Sequence, residues 1–136
     1  ENLPADIAVF SAAVADFKIN KKNKDKIKKI EKLTINLEKN IDILNYVSNH
    51  NSMRPKLVIG FAAETTNLDD NAKEKLTKKN CDWIIANDVS KKDSGFDSDY
   101  NEVTIFYKDH KKEKLSSKNK SLISEEIVER VNNQLN

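Results

Sequence analysis

The sequence predicts one soluble domain with an α/β fold and a largely parallel sheet. Three observations support the fold class, the single domain and the solubility in turn. Short apolar runs alternate with segments whose apolar residues recur every three or four positions, as strands and amphipathic helices do. The chain has 136 residues, 38% of them hydrophobic, which is enough for one domain with a modest core. Its longest apolar stretches are far shorter than the roughly 18 residues of a membrane-spanning helix, so a soluble chain is expected.

The first half of the chain contains two predicted strands and one predicted helix. Residues 7–12 form a nearly continuous apolar run, which is typical of a strand that is covered on both faces. Apolar and polar residues alternate over 33–37, and this alternation predicts a half-buried strand. Over 40–50 apolar residues recur at three-residue steps, which predicts a helix capped by Asn40.

The second half continues the alternation. Residues 57–63 predict a second buried strand, which a helix capped by Asn67 follows. Two further strands are predicted over 83–86 and 103–107, and an amphipathic helix over 123–135 closes the chain. Strands that alternate with helices favour a parallel sheet, because each crossover helix returns the chain to the same end of the sheet. No internal repeat or domain boundary is visible.

Two polar segments interrupt this pattern, and each follows the end of a predicted strand. Residues 18–32 contain eight lysines and almost no apolar anchor, so a mobile loop is expected there. These lysines are Lys18, Lys21, Lys22, Lys24, Lys26, Lys28, Lys29 and Lys32. Residues 87–101 are polar and rich in turn-forming residues. Ligands of parallel α/β sheets bind beyond the carboxyl ends of the strands, so both segments are predicted to border a site.

The lysines of residues 18–32 admit three interpretations. The first is a solvated loop with no further role. The second is a contact with nucleic acid, since lysines neutralise phosphates, although only Phe17 at the edge of the segment is placed to stack on a base. The third is a lid that closes on a polyphosphate and neutralises the charge that grows on a leaving pyrophosphate.

Composition excludes several classes of site. A single cysteine excludes an internal disulfide and a cysteine-based zinc site, and two histidines argue against a histidine metal cluster or a Ser-His triad. The two glycines, Gly60 and Gly95, are far apart, so the chain contains no complete glycine-rich phosphate loop. The net charge of +2 creates no overall field for nucleic acid or an anionic membrane, and neither partner is expected. No signal peptide is recognisable, and the cytoplasm is the expected compartment.

The helix predicted over 67–79 carries lysines of two kinds. At about 100° per residue, Lys75 and Lys79 flank the apolar stripe of the helix, whereas Lys73 and Lys78 point away from it. Lys75 and Lys79 lie one turn apart, so both ammonium groups can reach one anion at the edge of the sheet. The alternative is that their aliphatic stems only cover apolar surface.

Small side chains follow two of the predicted strands. In residues 12–16 they would let a ligand approach the backbone, and Asp16 could accept hydrogen bonds from an amino or hydroxyl group. Tight packing of the turn, with Asp16 as its cap, explains the same residues equally well. Residues 60–65 have the same character, and Phe61 offers either a stacking surface or an ordinary core side chain.

Five short motifs, in this order and spacing, give the chain a resemblance to one family. They are Ala12-Ala13-Val14-Ala15-Asp16, Lys26-Ile27-Lys28-Lys29, Gly60-Phe61-Ala62-Ala63-Glu64-Thr65, Ala86-Asn87-Asp88-Val89 and Phe96-Asp97-Ser98-Asp99. From about Ile7 to the C-terminus the chain resembles phosphopantothenoylcysteine synthetase, the ligase of coenzyme A biosynthesis. The resemblance implies a Rossmann-like, three-layer fold with a mostly parallel sheet. It also implies, in most bacteria, a fused decarboxylase that binds FMN outside this chain.

The resemblance further implies a reaction. Bacterial members use CTP and Mg²⁺ to activate the carboxylate of 4′-phosphopantothenate as an acyl-cytidylate, with release of pyrophosphate, and cysteine then displaces CMP. The preference for CTP over ATP rests on this resemblance alone. A homodimer is expected, since relatives complete the active site with dimer contacts.

The resemblance also assigns roles to individual residues. Lys26 would be the catalytic lid lysine that stabilises the activated intermediate. Residues 41–44 match a nucleotide-contacting stretch that begins with proline in relatives, so Ile41 departs from the pattern. Asn87 and Asp88 would lie on the substrate side. The nucleotide-binding residues implied in this way are Phe10, Ser11, Ala12, Asp16, Lys26, Ile41, Asp42, Ile43, Leu44, Phe61, Lys75 and Lys79.

In the family a glycine-rich phosphate loop and a catalytic asparagine precede the matched segment. The expectation is therefore that residues 1–136 are the C-terminal part of a ligase domain, truncated at its N-terminal half and inactive alone. Two alternatives stay open: a nucleotide-binding α/β module without catalysis, and a lysine-rich nucleic-acid-binding module. The second alternative predicts strongly salt-dependent binding to any polynucleotide.

Overall fold

The structure is a computed structural model that describes residues 2–12, 14–20, 25, 26, 28, 31–90 and 98–136. Within this part of the chain, strands and helices alternate only in the middle, since three consecutive strands precede the first helix and three more precede the last. The elements are β1 (Ile7–Phe10), β2 (Phe17–Ile19), β3 (Leu37–Lys39), α1 (Ile43–Ser48), β4 (Leu57–Glu64), α2 (Leu68–Lys79), β5 (Trp83–Asp88), β6 (Tyr100–Tyr107), β7 (Lys112–Asn119) and α3 (Lys120–Leu135).

The main sheet of the described residues has the strand order β1-β4-β5-β6-β7. Strand β4 pairs in parallel with β1 and with β5, whereas β6 is antiparallel to both β5 and β7. The predicted α/β fold is confirmed, and the predicted parallel pairing holds for the β1-β4-β5 half. The other half is antiparallel, and the turn that joins β6 to β7 is too short for the crossover that a parallel pair needs.

Helices cover both faces of this sheet, so the molecule has the expected three layers. Strand β5 shows the arrangement best, since its side chains alternate between two cores. Trp83 and Ile85 pack on the face of α3, together with Ile123 and Val131 of that helix. Ile84 packs on the opposite face, which α1 and α2 cover. Burial on both faces explains why the strands at the centre of the sheet read as continuous apolar runs.

Strand β1 departs from the prediction of a strand covered on both faces. It lies at the edge of the sheet, with β4 as its paired neighbour, and no helix in the described part of the chain covers it as α2 covers β4 and β5. Ile7 and Val9 therefore keep 36% and 54% of their surface exposed. The strand itself ends at Phe10, so Ser11 and Ala12 lie beyond it.

Strands β2 and β3 form a separate two-stranded ribbon, antiparallel and exposed along its whole length. The half-buried strand predicted over 33–37 is therefore wrong in extent and in burial, since none of the described residues forms a layer beneath it and only Leu37 belongs to β3. Part of the predicted lysine loop is strand as well, because β2 includes Lys18, which forms an ion pair with Glu38 at 3.3 Å. Phe17 and Ile19 point to the other face of the ribbon.

The N-terminal caps of the first two helices also differ from the prediction. Asp42, and not Asn40, caps α1, since its Oδ1 accepts a hydrogen bond from Asn45 N at 2.8 Å. Asn40 donates instead to the carbonyl oxygen of Ala15 at 3.1 Å. Asn67 does precede α2, but it adopts a left-handed conformation with φ of 50° and makes no side-chain cap hydrogen bond. The predicted span of α2 is confirmed.

The structure contains a strand, β7, that the sequence analysis does not predict. Its sequence is mostly lysine, serine and glutamate, and Leu115 is its one fully buried side chain. Arg130 of α3 holds β7 from the helix side, through hydrogen bonds of 2.5 and 2.9 Å to the Glu113 carboxylate. Tyr107 of β6 also donates to Glu113, at 3.0 Å.

The carboxylate of Glu113 makes the fold sensitive to acid. Hydrogen bonds from Arg130 hold the pKa of Glu113 below its ordinary value of 4.5, although burial acts in the opposite direction. This carboxylate therefore stabilises the folded state above that value, and the contribution is lost as the pH falls through the lowered pKa. We expect Glu113→Gln to lower the free energy of unfolding at neutral pH, measured by urea denaturation. The difference from wild type should vanish in acid, and a difference independent of pH would contradict this origin.

Candidate functional site

The carboxyl end of β1 lies beside the middle of β4, which continues to Glu64. Phe10, the last residue of β1, is the register partner of Gly60 in β4, so the segment after β1 adjoins the Gly60–Phe61 backbone. A Cβ atom on Gly60 would come within 2.8 Å of Ile84 Cδ1 and 2.9 Å of Leu44 Cδ2. The glycine thus lets α1 approach the sheet closely. Ser11 and Ala12, both predicted site residues, are exposed at this edge.

Lys75 of α2 reaches the same edge of the sheet. Its Nζ donates a hydrogen bond of 2.8 Å to the carbonyl oxygen of Phe61. The residue is half-buried, because its stem runs along the apolar side of α2 before the ammonium group meets the backbone of β4. This is the direction that the helical periodicity predicts for Lys75.

Lys79, one turn later on α2, forms an ion pair with Asp42 at the start of α1. The two side chains keep about a third of their surface, 30% for Lys79 and 34% for Asp42. Burial raises the pKa of Asp42, but hydrogen bonds from Lys79 and from Asn45 N outweigh it, and the charge of Lys75 lowers that pKa further. Three predicted site residues therefore form one group, which we call the Asp42–Lys75–Lys79 cluster.

The other two lysines of α2 lie away from this cluster, as predicted. Lys78 forms an ion pair with Glu74 on the exposed side of the helix. Lys73 is exposed as well. The helical periodicity thus separates correctly the lysines that reach the sheet from those that remain in solvent.

The ring of Phe61 does not lie with the cluster. It packs against the core on the α3 face of the sheet, together with Ile59 two positions earlier. The carbonyl oxygen of Phe61, rather than its ring, faces Lys75. A contact between Phe61 and a nucleotide stays a prediction, and the structure offers the backbone of this residue for it.

Asn40 connects two predicted parts of the site, and sequence reasoning missed this role. Its backbone N donates to Asp16 O at 2.7 Å, and its side chain donates to Ala15 O. The segment after β1 is thereby tied to the start of 41–44, where Ile41 is exposed and Leu44 packs into the core. Only a contact across 25 residues reveals this link, so no local signal could have shown it.

The predicted lid is only partly described. Lys26 is exposed, and Ile27 and Lys29 of the same motif lie outside the described residues. The same is true of Lys21, Lys22, Lys24, Ala13, Phe96 and Asp97. The catalytic role of Lys26 therefore stays a prediction.

Asn87 and Asp88 close β5, next to Ala63 and Glu64 of β4 in the register of the sheet. Asp88 Oδ1 accepts hydrogen bonds from the backbone N and the hydroxyl group of Ser90, at 3.0 and 2.6 Å. The two residues lie at the carboxyl end of β5, where the sequence predicts a site. Lys75 contacts β4, the neighbour of β1, so Asn87 and Asp88 are one strand farther from β1. Their assignment to the substrate side stays a prediction.

The remaining findings concern the reactivity of Cys81, metal binding and membrane crossing. Cys81 is buried, and this burial raises the pKa of its thiol to about 11, so it is a poor nucleophile at neutral pH. Among the described residues, no three His, Cys, Asp or Glu side chains are placed to hold a metal ion together. None of the helices in the described part is long and apolar enough to cross a membrane.

Solved structures share this fold. The C-terminal domain of the coenzyme A biosynthesis bifunctional protein CoaBC superposes with a TM-score of 0.72 and 32% identity, covering 96% of this chain and 55% of that chain. The DNA/pantothenate metabolism flavoprotein from Streptococcus pneumoniae superposes with a TM-score of 0.68 at 21% identity, covering 96% and 62%. The second similarity supports the fold alone.

Sequence comparison identifies the family. The coenzyme A biosynthesis bifunctional protein CoaBC of Bacillus subtilis is 38% identical over 128 residues, covering 93% of this chain. The protein of the same name from Haemophilus influenzae is 43% identical over 126 residues, covering 92%. The chain spans 31% of the length of each of these relatives. The model of the DNA/pantothenate metabolism flavoprotein C-terminal domain matches residues 1–135, and the chain belongs to this family.

Proposed function

We propose that this chain is the nucleotide-binding part of a phosphopantothenate–cysteine ligase of coenzyme A biosynthesis. The observation that carries the proposal is the Asp42–Lys75–Lys79 cluster, which places one ammonium group on the backbone of β4 and a second beside the start of α1. Relatives named for coenzyme A biosynthesis agree with it. A polyphosphate needs such a set of cations beside an open strand end, and a nucleotide bound there would extend over the backbone of Phe10, Ser11 and Ala12.

The proposed reaction proceeds in two steps. The carboxylate of 4′-phosphopantothenate attacks the α-phosphorus of CTP, the bond to pyrophosphate breaks, and an acyl-cytidylate forms. The amine of cysteine then attacks the acyl carbon, the bond to CMP breaks, and the amine loses a proton. The first step needs no general base, because the carboxylate is already a nucleophile. It does need cations for the charge that grows on the leaving pyrophosphate, which Lys75 and Lys79 would supply.

The remaining residues of the site would take up supporting roles. Mg²⁺ would arrive with the triphosphate, since Mg²⁺ commonly keeps phosphate and water ligands and the described residues offer no cluster of three ligand side chains. Lys26 would stabilise the acyl-cytidylate from the lysine-rich segment. Asp16 would accept hydrogen bonds from the nucleoside, and Asn87 and Asp88 would border 4′-phosphopantothenate.

The wider context of the chain is also proposed. We infer that it works within a longer cytoplasmic protein with a fused, FMN-binding decarboxylase; in support, the relatives are named bifunctional and the family is named a flavoprotein. We further infer a homodimer. The exposed apolar residues Phe17, Ile19 and Leu37 on one face of the β2–β3 ribbon support it, because a two-stranded ribbon is at best marginally stable without a layer against it.

A calorimetric titration with CTP and Mg²⁺ tests the nucleotide pocket. We expect the Lys75→Ala/Lys79→Ala variant of the full chain to bind CTP at least about 10-fold more weakly than wild type, since each charge-assisted contact contributes on the order of 1.5–3 kcal/mol. The Lys73→Ala/Lys78→Ala variant loses the same charge from the exposed side of α2 and should bind normally. A parallel titration with ATP measures the preference for the base. Equal binding by both double variants would contradict this pocket.

A further inference from the structure

The carboxylate of Asp42 forms an ion pair with the ammonium group of Lys79. In the proposed pocket that ammonium group binds a phosphate. Asp42 Oδ2 forms the ion pair with Lys79, while Oδ1 accepts the hydrogen bond from Asn45 N at 2.8 Å that caps α1. Each oxygen atom thus has its own partner. The pair is about two-thirds buried, so its attraction is less screened than that of a fully exposed surface pair.

Packing of α1 on α2 does not depend on this ion pair. The hydroxyl group of Ser48 donates to the carbonyl oxygen of Lys79, and Asn80 Nδ2 donates to Ser48 O at 3.3 Å. Arg54 joins the same two helix ends, with hydrogen bonds of 2.8 Å to Ser48 O and 3.0 Å to Asn80 O. The C-terminal end of α1 is therefore anchored several times over, and the Asp42–Lys79 pair can open without separating the helices.

A polyphosphate that enters the cluster meets one negative charge among the positive ones. To reach Lys79 it must take the place of a carboxylate, and until then Asp42 repels it. The charge of Lys75 also acts on Asp42, so both lysines are partly neutralised by the same group.

We propose that Asp42 is an internal counterion of Lys79 that the phosphates of the nucleotide displace, and that it thereby sets the affinity of the site. Asp42 is then a positioning residue: it holds the Lys79 ammonium group before the nucleotide binds and takes the lysine back when pyrophosphate leaves. The inference rests on the proposed function, because it assumes that Lys79 receives a phosphate.

The Asp42→Asn variant separates the charge of Asp42 from its role as a cap. Asparagine is as good an N-cap as aspartate and has the same shape, so the hydrogen bond from Asn45 N persists while the competing charge is removed. We expect Asp42→Asn to bind inorganic pyrophosphate and CTP with Mg²⁺ about fivefold more tightly than wild type in calorimetric titrations of the full chain at low salt, as for the loss of one exposed-to-half-buried ion pair.

Two comparisons make this test specific. In a Lys79→Ala background the Asp42→Asn substitution should raise the affinity for pyrophosphate much less than in wild type, because only the interaction with Lys75 and the direct repulsion remain. Glu74→Gln removes one negative charge from the exposed side of α2, where Glu74 pairs with Lys78, and should leave the affinity unchanged. A gain that is undiminished without Lys79, or that Glu74→Gln reproduces, would show a general effect of charge and overturn the inference.

A second measurement does not depend on affinity. Titration of the Asp42 side-chain carbon by NMR should give a pKa below the ordinary value in the free chain, and that pKa should rise when pyrophosphate displaces the carboxylate from Lys79. An unchanged pKa, or weaker binding by Asp42→Asn with Lys79 intact, would overturn the inference. Failure of the proposed function looks different, since Lys75→Ala/Lys79→Ala would then bind pyrophosphate as wild type does.

Discussion

Replacing Lys26 by alanine should reduce the turnover number of the ligase reaction at least about 100-fold in the complete natural protein, as the loss of a charge-stabilising group in an active site does. The proposed role of Lys26 is to stabilise charge that develops during activation, and not to hold the ground state. Binding of CTP should therefore change much less than turnover, which rapid-quench measurement of acyl-cytidylate formation and calorimetry can separate.

Lys18→Ala is the matched control for Lys26→Ala. Lys18 belongs to the same lysine-rich segment, is exposed, and already pairs with Glu38 on the ribbon. If both variants lost turnover equally, the segment would act through its total charge, and Lys26 would have no specific role. A loss in Lys26→Ala alone, with CTP still bound, would place its ammonium group at the reacting atoms.

Arg54→Ala should give a large loss of stability, about 2–4 kcal/mol in urea denaturation, because it removes one partner of a mostly buried ion pair. The guanidinium group contacts both oxygens of Asp82 at 3.0 Å and also bonds the carbonyl oxygens of Ser48 and Asn80. Asp82 in turn accepts a hydrogen bond from Val58 N at 2.8 Å. One side chain therefore joins both helix ends to the start of the parallel strands.

Arg54→Lys tests whether geometry or charge accounts for this stability. Lysine keeps the charge but lacks the planar fork that bonds two carboxylate oxygens and the carbonyls together. We expect it to recover less than half of the loss. Full recovery by lysine, or a loss in Arg54→Ala no larger than that of an exposed ion pair, would contradict the structural role assigned to the guanidinium group.

The centre of the fold is predictable from sequence because its signals are local. Strands β4 and β5 are buried on both faces, so they stand out as apolar runs, and the apolar stripe of α2 has a clear helical period. The edges are not predictable in this way. β1 has the same apolar pattern as β4 and yet lies exposed, and β7 has one buried residue, Leu115, so its pairing depends on partners distant in sequence.

The candidate site also has a part that local signals predict and a part that only the tertiary structure reveals. Helical periodicity alone selects Lys75 and Lys79, whereas the pairing of Lys79 with Asp42 joins residues 37 positions apart and needs the tertiary structure. The direction of the Phe61 ring is predictable from the sequence. Because side chains alternate along a strand, Phe61 must share the face of Ile59, opposite to Gly60, which adjoins α1.

The hydrogen bonds of Asn40 to Ala15 and Asp16 have a consequence for how this domain can vary. They join the segment after β1 to the segment before α1 at the base of the ribbon, so strands β2 and β3 leave and re-enter the body of the protein at one point. Lengthening such a closed loop costs little free energy, since the closure entropy grows only slowly with length. The length and the sequence of this segment can therefore change, in evolution or by design, while the body of the domain keeps its structure.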